Sequence, residues 1–296
     1  MTLPFLLLAL AVASAWLPSI RLGATRVPPW TGLLALSVAA GFADGTLAPV
    51  AVGAIAGLCA LAAIAVRTPP GWGRCAMVAL TALAALAISL HAVPGFARPV
   101  VIDHVALTPD AVPFTLVLSF DKAAAGLVLL AAFCRPAAGE RRGPGARTVR
   151  HRTVAAVVAV PAAVLALGAA LGLTRFEPHW PAGAVVFLVA NLLFTCVAEE
   201  AFFRGLIQES LLRVAHGASR PGTRAAWRIT AIVVSTALFV LSHGRFDARW
   251  GVVLTAAGLG YGLAQASTRR IEASIATHFA VNAAHFLLFA YPALAR

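Results

Sequence analysis

Three ionisable side chains follow directly after a stretch of the chain that carries no charge. The sequence VAEEAFFRG places Glu199, Glu200 and Arg204 after AGAVVFLVANLLFTC, which is wholly uncharged. A charged side chain near the centre of a bilayer costs about 3 kcal/mol or more, so ionisable residues there are functional candidates. These three residues are the first candidates for chemistry.

Two later segments carry further polar residues inside apolar runs. Phe239 and His243 lie in ALFVLSHG, and His278 and Asn282 lie in IATHFAVNAAHF. At a helical rise of about 1.5 Å per residue, counted from the nearest basic loops, Glu199 and His243 lie about 21 and 22 Å deep. His278 and Asn282 lie about 12 and 18 Å deep by the same count. We therefore expect all four side chains at overlapping depths.

These residue types are the ones required to hydrolyse an amide. A carboxylate (Glu199) and an imidazole (His243) around a water molecule make a general base. His278 and Asn282 are four residues apart, hence on one helix face, and can offer two hydrogen-bond donors to an oxyanion. Glu200 and Arg204 are also four apart and can neutralise each other.

The same residues are compatible with a metal site. Glu199, His243 and His278 could bind a divalent ion such as zinc, because catalytic sites of this kind use three nitrogen or oxygen ligands and a water. Asn282 suits an oxyanion hole better than a metal shell and slightly favours the metal-free reading. No metal is assigned.

The elements that must position these residues are membrane helices. Of the 296 residues 60% are hydrophobic and 11% charged, with a mean hydropathy of +0.88, whereas soluble domains carry about 25% charged residues. The composition predicts an all-α, polytopic transmembrane helical bundle of about eight to ten spans. The predicted spans are 3–20, 29–43, 46–66, 75–95, 112–134, 153–173, 182–212, 228–243, 250–268 and 272–291.

The net charge of +12 does not indicate nucleic-acid binding. The basic residues lie in short loops between spans, where they set the orientation of a membrane protein. Lys122 is the only lysine, and this arginine bias with the abundant Ala, Gly and Pro is associated with GC-rich bacterial genomes. We expect a multi-pass protein of a bacterial inner (cell) membrane whose surroundings are lipid.

The Gly-, Pro- and Arg-rich stretch 135–152 is the best internal boundary. It divides N-terminal transmembrane helices and a basic cytoplasmic loop (1–150) from a region that contains the three polar sets (151–296).

The cysteines show neither a disulfide framework nor CxxC spacing. Outside the three sets we expect structural roles for His91, His285 and the Asp121–Lys122 pair, the last being the candidate for an additional substrate contact. The glycines Gly258 and Gly262 are expected to permit close helix packing.

The three sets together resemble the motifs of the CPBP intramembrane proteases, a family that includes the type II CAAX prenyl proteases and the Abi proteins. EExxxR, FxxxH and HxxxN occur in this order between about Val185 and Phe289. The resemblance implies an all-helical endopeptidase with its catalytic cavity inside the bilayer. It implies that Glu199 and His243 activate water, that His278 and Asn282 stabilise the oxyanion, and that Glu200, Arg204 and Phe239 support them.

The implied substrate is a membrane protein or a lipid-anchored peptide. The family has been described both as metal-dependent and as glutamate-type. Two other function classes stay open. A proton-coupled transporter also needs intramembrane Glu, His and Arg, although transporters usually contain internal repeats and none is visible here. A non-catalytic immunity or scaffold protein would keep the fold without the reaction.

Overall fold

The computed structural model describes residues 2–23, 25–134, 144–217, 220–244 and 247–295. It confirms the all-α fold class. The α-helices are α1 (Leu3–Ser14), α2 (Pro29–Ala43), α3 (Pro49–Arg67), α4 (Trp72–Ser89), α5 (Phe120–Leu129), α6 (Ala146–Ala170), α7 (Ala184–Ala190), α8 (Val197–Glu200), α9 (Glu209–Gly217), α10 (Pro221–Ser242), α11 (Ala248–Thr268) and α12 (Ile271–Leu288).

Each predicted span overlaps a helix, once the continuous helical segment from α7 to α9 is taken as one. Among the described residues, five helices are long and apolar enough to cross a membrane: Pro49–Arg67, Trp72–Ser89, Ala146–Ala170, Ala184–Arg213 and Pro221–Ser242. Two shorter apolar helices are α1 and α2. The protein is therefore a multi-pass membrane protein, while the total of eight to ten spans stays a prediction.

Several boundaries differ from those predicted. The first span ends at Ser14 and not at residue 20. The fifth begins at Phe120 and not at residue 112, so Asp121 lies in the first turn of α5 and does not interrupt a helix. Helix α10 begins at Pro221 within the predicted basic loop, because proline has a fixed φ that suits the first turn of a helix.

Short β-strands lie in and beside the segments that were predicted to be helical but are not. Strands β1 (Ile20–Leu22) and β2 (Thr25–Val27) pair antiparallel, and β3 (Val100–Val105) pairs with β4 (Phe114–Val117). The residues of β4 are apolar or β-branched. A short run of such residues is compatible with a strand as well as with a helix. Counting apolar residues alone therefore extended the predicted fifth span too far towards the N-terminus.

The chain forms two compact units. The first comprises residues 1–101, 116–135 and 192–202. In it α1 packs on α2, α3 on α4, and α5 contacts α1, α3, α4 and α8. Helix α5 is buried along nearly all its length, so it is the central element of this unit.

Helices α5 and α8 approach each other at Gly126. A Cβ added to Gly126 would lie 2.4 Å from both Cα and Cβ of Ala198. No side chain fits in that space, and the obstructing atoms belong to the partner's backbone and first carbon. Glycine at this position therefore sets the separation of α5 and α8.

The second unit comprises residues 102–115, 136–191 and 203–296. In it α6 packs against α11 and α12, and α11 also contacts α10 and α12. Gly260 lies against α6, where an added Cβ would come within 2.6 Å of the Val160 side chain. Ser235 on α10 donates to the Phe203 carbonyl at 2.8 Å.

The two units are interleaved along the chain. The division into an N-terminal region 1–150 and a protease region 151–296 concerns function, and it stays a prediction.

Within the second unit Arg175 pairs with Glu177 at 2.9 Å and with Asp110 at 3.0 Å. The hydrogen bonds to Asp110 and Glu177 raise the pKa of the Arg175 guanidinium, in agreement with a charge-balanced loop after α6.

Helix α8 is bordered on both sides by π-helical turns. These cover Asn191–Cys196 before it and Ala201–Gln208 after it. Wide turns of this kind are rare and occur frequently at functional sites. The four residues of α8 include both adjacent glutamates, so this part of the chain departs from regular helix around its most polar residues.

We predict that Gly126→Ala destabilises the protein by about 1–3 kcal/mol, the usual cost of overpacking, because the Ala198 backbone must move. Thermal unfolding in detergent measures the effect. Gly57→Ala is the matched control, since nothing lies within 4 Å of a Cβ at Gly57. An unchanged unfolding temperature for Gly126→Ala would contradict the close approach of α5 and α8.

Candidate active site

Glu199 lies in the first unit and is bound by a lysine. The Lys122 ammonium donates to Glu199 Oε1 at 2.6 Å, and the two side chains are 26% and 12% exposed. An ion pair of this length is a charge-assisted hydrogen bond. The predicted general base therefore carries a fixed cationic partner.

The position of Lys122 follows from the contact between α5 and α8. Lys122 and Gly126 are four residues apart, so they share one face of α5. Gly126 lies against Ala198, and Glu199 is the next residue after Ala198. The missing side chain at Gly126 thus brings the Lys122 ammonium within reach of the Glu199 carboxylate.

A second ion pair precedes Lys122. Asp121 is 1% exposed, and its Oδ2 lies 2.5 Å from His91 Nδ1. Asp121 Oδ1 accepts the Lys122 backbone N–H at 2.8 Å, where an acidic side chain also compensates the free N–H groups of the first helical turn. His91 has the structural hydrogen bond that we expected. Asp121 has such a role too, whereas Lys122 binds the predicted base directly.

Arg204 is fully buried in the second unit. Its guanidinium carbon lies 4.8 Å from the ring centre of Phe239 and 5.4 Å from that of Tyr261. Its Nη2 donates to the carbonyl of Gly258 at 2.9 Å. Aromatic faces and a backbone carbonyl therefore hold this cation, and its predicted pairing with the equally buried Glu200 stays a prediction.

Gly258 and Gly262 confirm the predicted close packing. Cβ atoms there would lie 2.8 Å from Thr236 and 3.0 Å from Gln208. Gln208, four residues after Arg204, donates to the carbonyl of Gly262 at 3.0 Å. Two donors four residues apart thus reach two glycine carbonyls four residues apart, a role for these glycines that we did not predict.

His243 follows the last residue of α10. Its Nδ1 lies 2.7 Å from the carbonyl oxygen of Phe239, which can only accept, so Nδ1 carries the proton. In the neutral imidazole Nε2 then has the lone pair. This tautomer, with an unprotonated Nε2, is the one required of a base that orients water or of a metal ligand.

Two aromatic rings hold the His278 imidazole. Tyr261 stacks on it with ring centres 4.5 Å apart and planes 14° from parallel. Phe239 meets it edge-on at 5.9 Å and also lies 4.4 Å from the ring centre of His243. His278 itself is 3% exposed. Phe239 therefore contacts both imidazoles, which gives the predicted supporting residue a physical role.

Asn282 lies four residues after His278 on α12. Its Nδ2 is 3.2 Å from Oδ1 of Asn191, the first residue of the wide turn before α8. Each amide nitrogen carries two hydrogens, and the contact with Asn191 engages one of those of Asn282. Asn191 is thus a partner of the predicted oxyanion residue.

The predicted site residues divide between the two units. The second unit brings together Phe239, His243, His278 and Arg204, with Asn282 on the same helix as His278. Glu199 and Glu200 lie in the first unit. The convergence of Glu199 with the two imidazoles stays a prediction.

The metal alternative names Glu199, His243 and His278. In the part of the chain that the structure describes, no group of three or more His, Cys, Asp or Glu side chains is placed to hold a metal ion. The metal alternative stays a prediction, and no step of the mechanism below passes through an ion. Nor does any of the four cysteines, all of which are described, form a disulfide.

Sequence reasoning missed three contacts. Lys122 is the only lysine of the chain, Asn191 is the only amide in the uncharged run before Glu199, and Gln208 is four residues after Arg204. Each of these residues is a polar exception in an apolar run and could be recognised in the sequence. Its partner lies 54 to 91 residues away along the chain and could not be recognised there.

Comparison with known families agrees with the three motifs. No curated protein and no solved structure matches the chain. Residues 181–284 match the family described as "Type II CAAX prenyl endopeptidase Rce1-like", and this range contains every predicted site residue from Glu199 to Asn282. The C-terminal part of the chain is therefore similar to the type II CAAX prenyl endopeptidases of the Rce1-like family.

Proposed function

We propose that this protein is an intramembrane endopeptidase that hydrolyses a peptide bond of a membrane protein or a lipid-anchored peptide. One observation carries the proposal. Phe239, His243 and His278 form a single cluster inside the region that matches an endopeptidase family. The residue types of that cluster and of Glu199 are those of water activation.

In the proposed reaction Glu199 is the general base. Its carboxylate takes one proton from water as the water oxygen attacks the carbonyl carbon of the scissile amide. His243 Nε2 accepts a hydrogen bond from the same water and orients it. When the carbon–nitrogen bond breaks, Glu199 returns the proton to the departing amine, so the residue ends as it began.

His278 and Asn282 are proposed to stabilise the oxyanion. A tetrahedral intermediate places negative charge on the former carbonyl oxygen, and preorganised donors at that position lower the barrier. The stacking of Tyr261 on His278 and the contact of Asn191 with Asn282 fix the two donors before the substrate arrives. We propose that Glu200 and Arg204 support this arrangement without touching the substrate.

The family description names prenyl endopeptidases, but a prenyl group is not required by the chemistry proposed here. The proposed substrate class is a membrane-embedded or lipid-anchored chain, because Glu199 and Phe239 lie on helices long and apolar enough to cross a membrane. We place the protein in the inner membrane of a bacterial cell. The uncut substrate is found by comparing the membrane and secreted proteomes of cells that carry the wild-type or the Glu199→Gln protein.

We expect Glu199→Gln and His243→Ala each to abolish cleavage of that precursor in proteoliposomes, because each removes a group that acts on the water. The measurement is product formation over time, with thermal unfolding in detergent as a check of folding. Glu209→Gln and His151→Ala are the matched controls and should cleave at the wild-type rate. Full cleavage by Glu199→Gln would contradict the assignment.

The same variant separates the rival functions. A proton-coupled transporter with Glu199→Gln would lose substrate flux in proteoliposomes, and no precursor would accumulate in cells. A scaffold would lose neither activity. An endopeptidase loses cleavage alone while it remains folded and inserted.

We expect Asn282→Ala to lower kcat about 100- to 1000-fold with little change in KM, the usual effect of removing one oxyanion donor. Asn191→Ala should lower kcat less, because the Asn282 amide remains and loses only its partner. Steady-state kinetics on the precursor measure both. Equal losses in KM and kcat for Asn282→Ala would instead indicate a role in binding substrate.

We expect cleavage to survive exhaustive treatment with EDTA and 1,10-phenanthroline, because the proposed base is a carboxylate with an imidazole. Elemental analysis of the purified protein accompanies the assay. Loss of activity on chelation, followed by recovery on addition of Zn²⁺, would favour the metal-dependent alternative with Glu199, His243 and His278 as ligands.

A further inference from the structure

We propose that Lys122 is a positioning residue for the endopeptidase reaction, and that its ammonium holds Glu199 Oε1 so that Oε2 faces the attacking water. The inference rests on the proposed function of Glu199 as the general base. It concerns residues of the first unit alone, and Lys122 lies outside the matched region 181–284.

The contact itself is the first argument. Lys122 Nζ lies 2.6 Å from Glu199 Oε1, and both side chains are largely shielded from solvent. In such surroundings an ammonium and a carboxylate attract each other more strongly than in water. A single donor on one oxygen also restricts rotation of the carboxylate, which a general base needs in order to meet its water at a fixed angle.

The second argument comes from composition and is independent of the contact. The chain has 23 basic residues of which only Lys122 is a lysine, so arginine is used wherever a surface cation is needed. The single lysine, Lys122, contacts Glu199, the predicted base. An ammonium is a compact point donor, whereas a guanidinium is a broad planar fork that engages both oxygens of a carboxylate. The lysine donates to one oxygen of Glu199, whereas an arginine would engage both.

The third argument is that the surrounding structure fixes Lys122. Asp121 accepts the Lys122 backbone N–H and is itself held by His91, which adopts a left-handed backbone with φ of 61°. Gly126, one turn further along α5, permits the close approach to Ala198. The start of the helix and its distance from α8 are thus both determined, which leaves the ammonium little freedom.

Two side-chain pairs make up this set, Lys122 with Glu199 and His91 with Asp121. Removing Lys122 removes the ammonium bound to Glu199 Oε1, whereas removing His91 changes only the anchor of Asp121. We therefore expect a graded effect, largest for Lys122 and smaller for Asp121 and His91.

The test uses the full-length protein in proteoliposomes with the precursor that accumulates in Glu199→Gln cells. Lys122→Ala should lower kcat at least tenfold while KM stays within threefold, because the substrate is not the partner of the ammonium. Ethylammonium at millimolar concentration should restore part of kcat to Lys122→Ala, and ethanol should not. Arg67→Gln, which removes an exposed cation of the same unit, is the matched control and should leave both constants unchanged.

Lys122→Arg tests the geometric part of the argument. If the contact with a single carboxylate oxygen is required, Lys122→Arg should also lose at least tenfold in kcat although the charge is kept. Wild-type kinetics for Lys122→Ala, or an equal recovery with ethanol, would overturn the proposal.

Two outcomes are kept separate. If Glu199→Gln cleaves normally, the proposed function fails and this inference falls with it. If Glu199→Gln is inactive but Lys122→Ala is not, only this inference fails. Should Lys122→Ala not fold, the pair Glu199→Gln/Lys122→Ala decides. Recovery of folding in the double variant supports a direct coupling of the two charges, and continued unfolding overturns it.

Discussion

A charge that leaves water for the interior of a membrane protein must find its partner within the protein. Hydrocarbon offers no hydrogen bonds, and an unpaired charge there is expensive. Three charged side chains are met accordingly: Glu199 by Lys122, Asp121 by His91, and Arg204 by aromatic faces and a backbone carbonyl. The need for partners fixes which helices must touch and therefore shapes both units.

Glycine supplies the distance at which those partners meet. Long side chains would hold two helices about 8–10 Å apart, too far for a short donor to reach a backbone carbonyl directly. At Gly126 the α5 backbone lies against Ala198, and at Gly258 the α11 backbone lies against Thr236. The first contact carries an ion pair one residue away from Ala198. The second exposes a carbonyl that Arg204 binds. In each unit, close packing at a glycine thus brings a cation within reach of its partner.

The sequence predicted what depends on local pattern. The apolar runs located the helices, and the polar exceptions within them made Glu199, His243, His278 and Asn282 the candidate site residues. The predicted spans failed where composition does not distinguish strand from helix, as at β4. Partnerships were the other failure, because the residue that binds Glu199 is 77 residues away in the chain and no local pattern connects the two. Lys122 was noticed as the only lysine, but its chemical significance appeared only when its ammonium was found on Glu199.

Phe239 illustrates how one apolar side chain can organise several polar ones. An aromatic ring has a negative face and a positive edge, and the Arg204 guanidinium lies within cation–π distance of its centre. His278 stands nearly perpendicular to it, and His243 lies 4.4 Å away while bound to the Phe239 carbonyl. A leucine here would preserve that carbonyl and much of the apolar volume, yet it would remove the electrostatic contact that holds the cation. Phe239 therefore acts through its ring on Arg204 and through its backbone on His243, which explains why an apolar residue belongs among the polar ones.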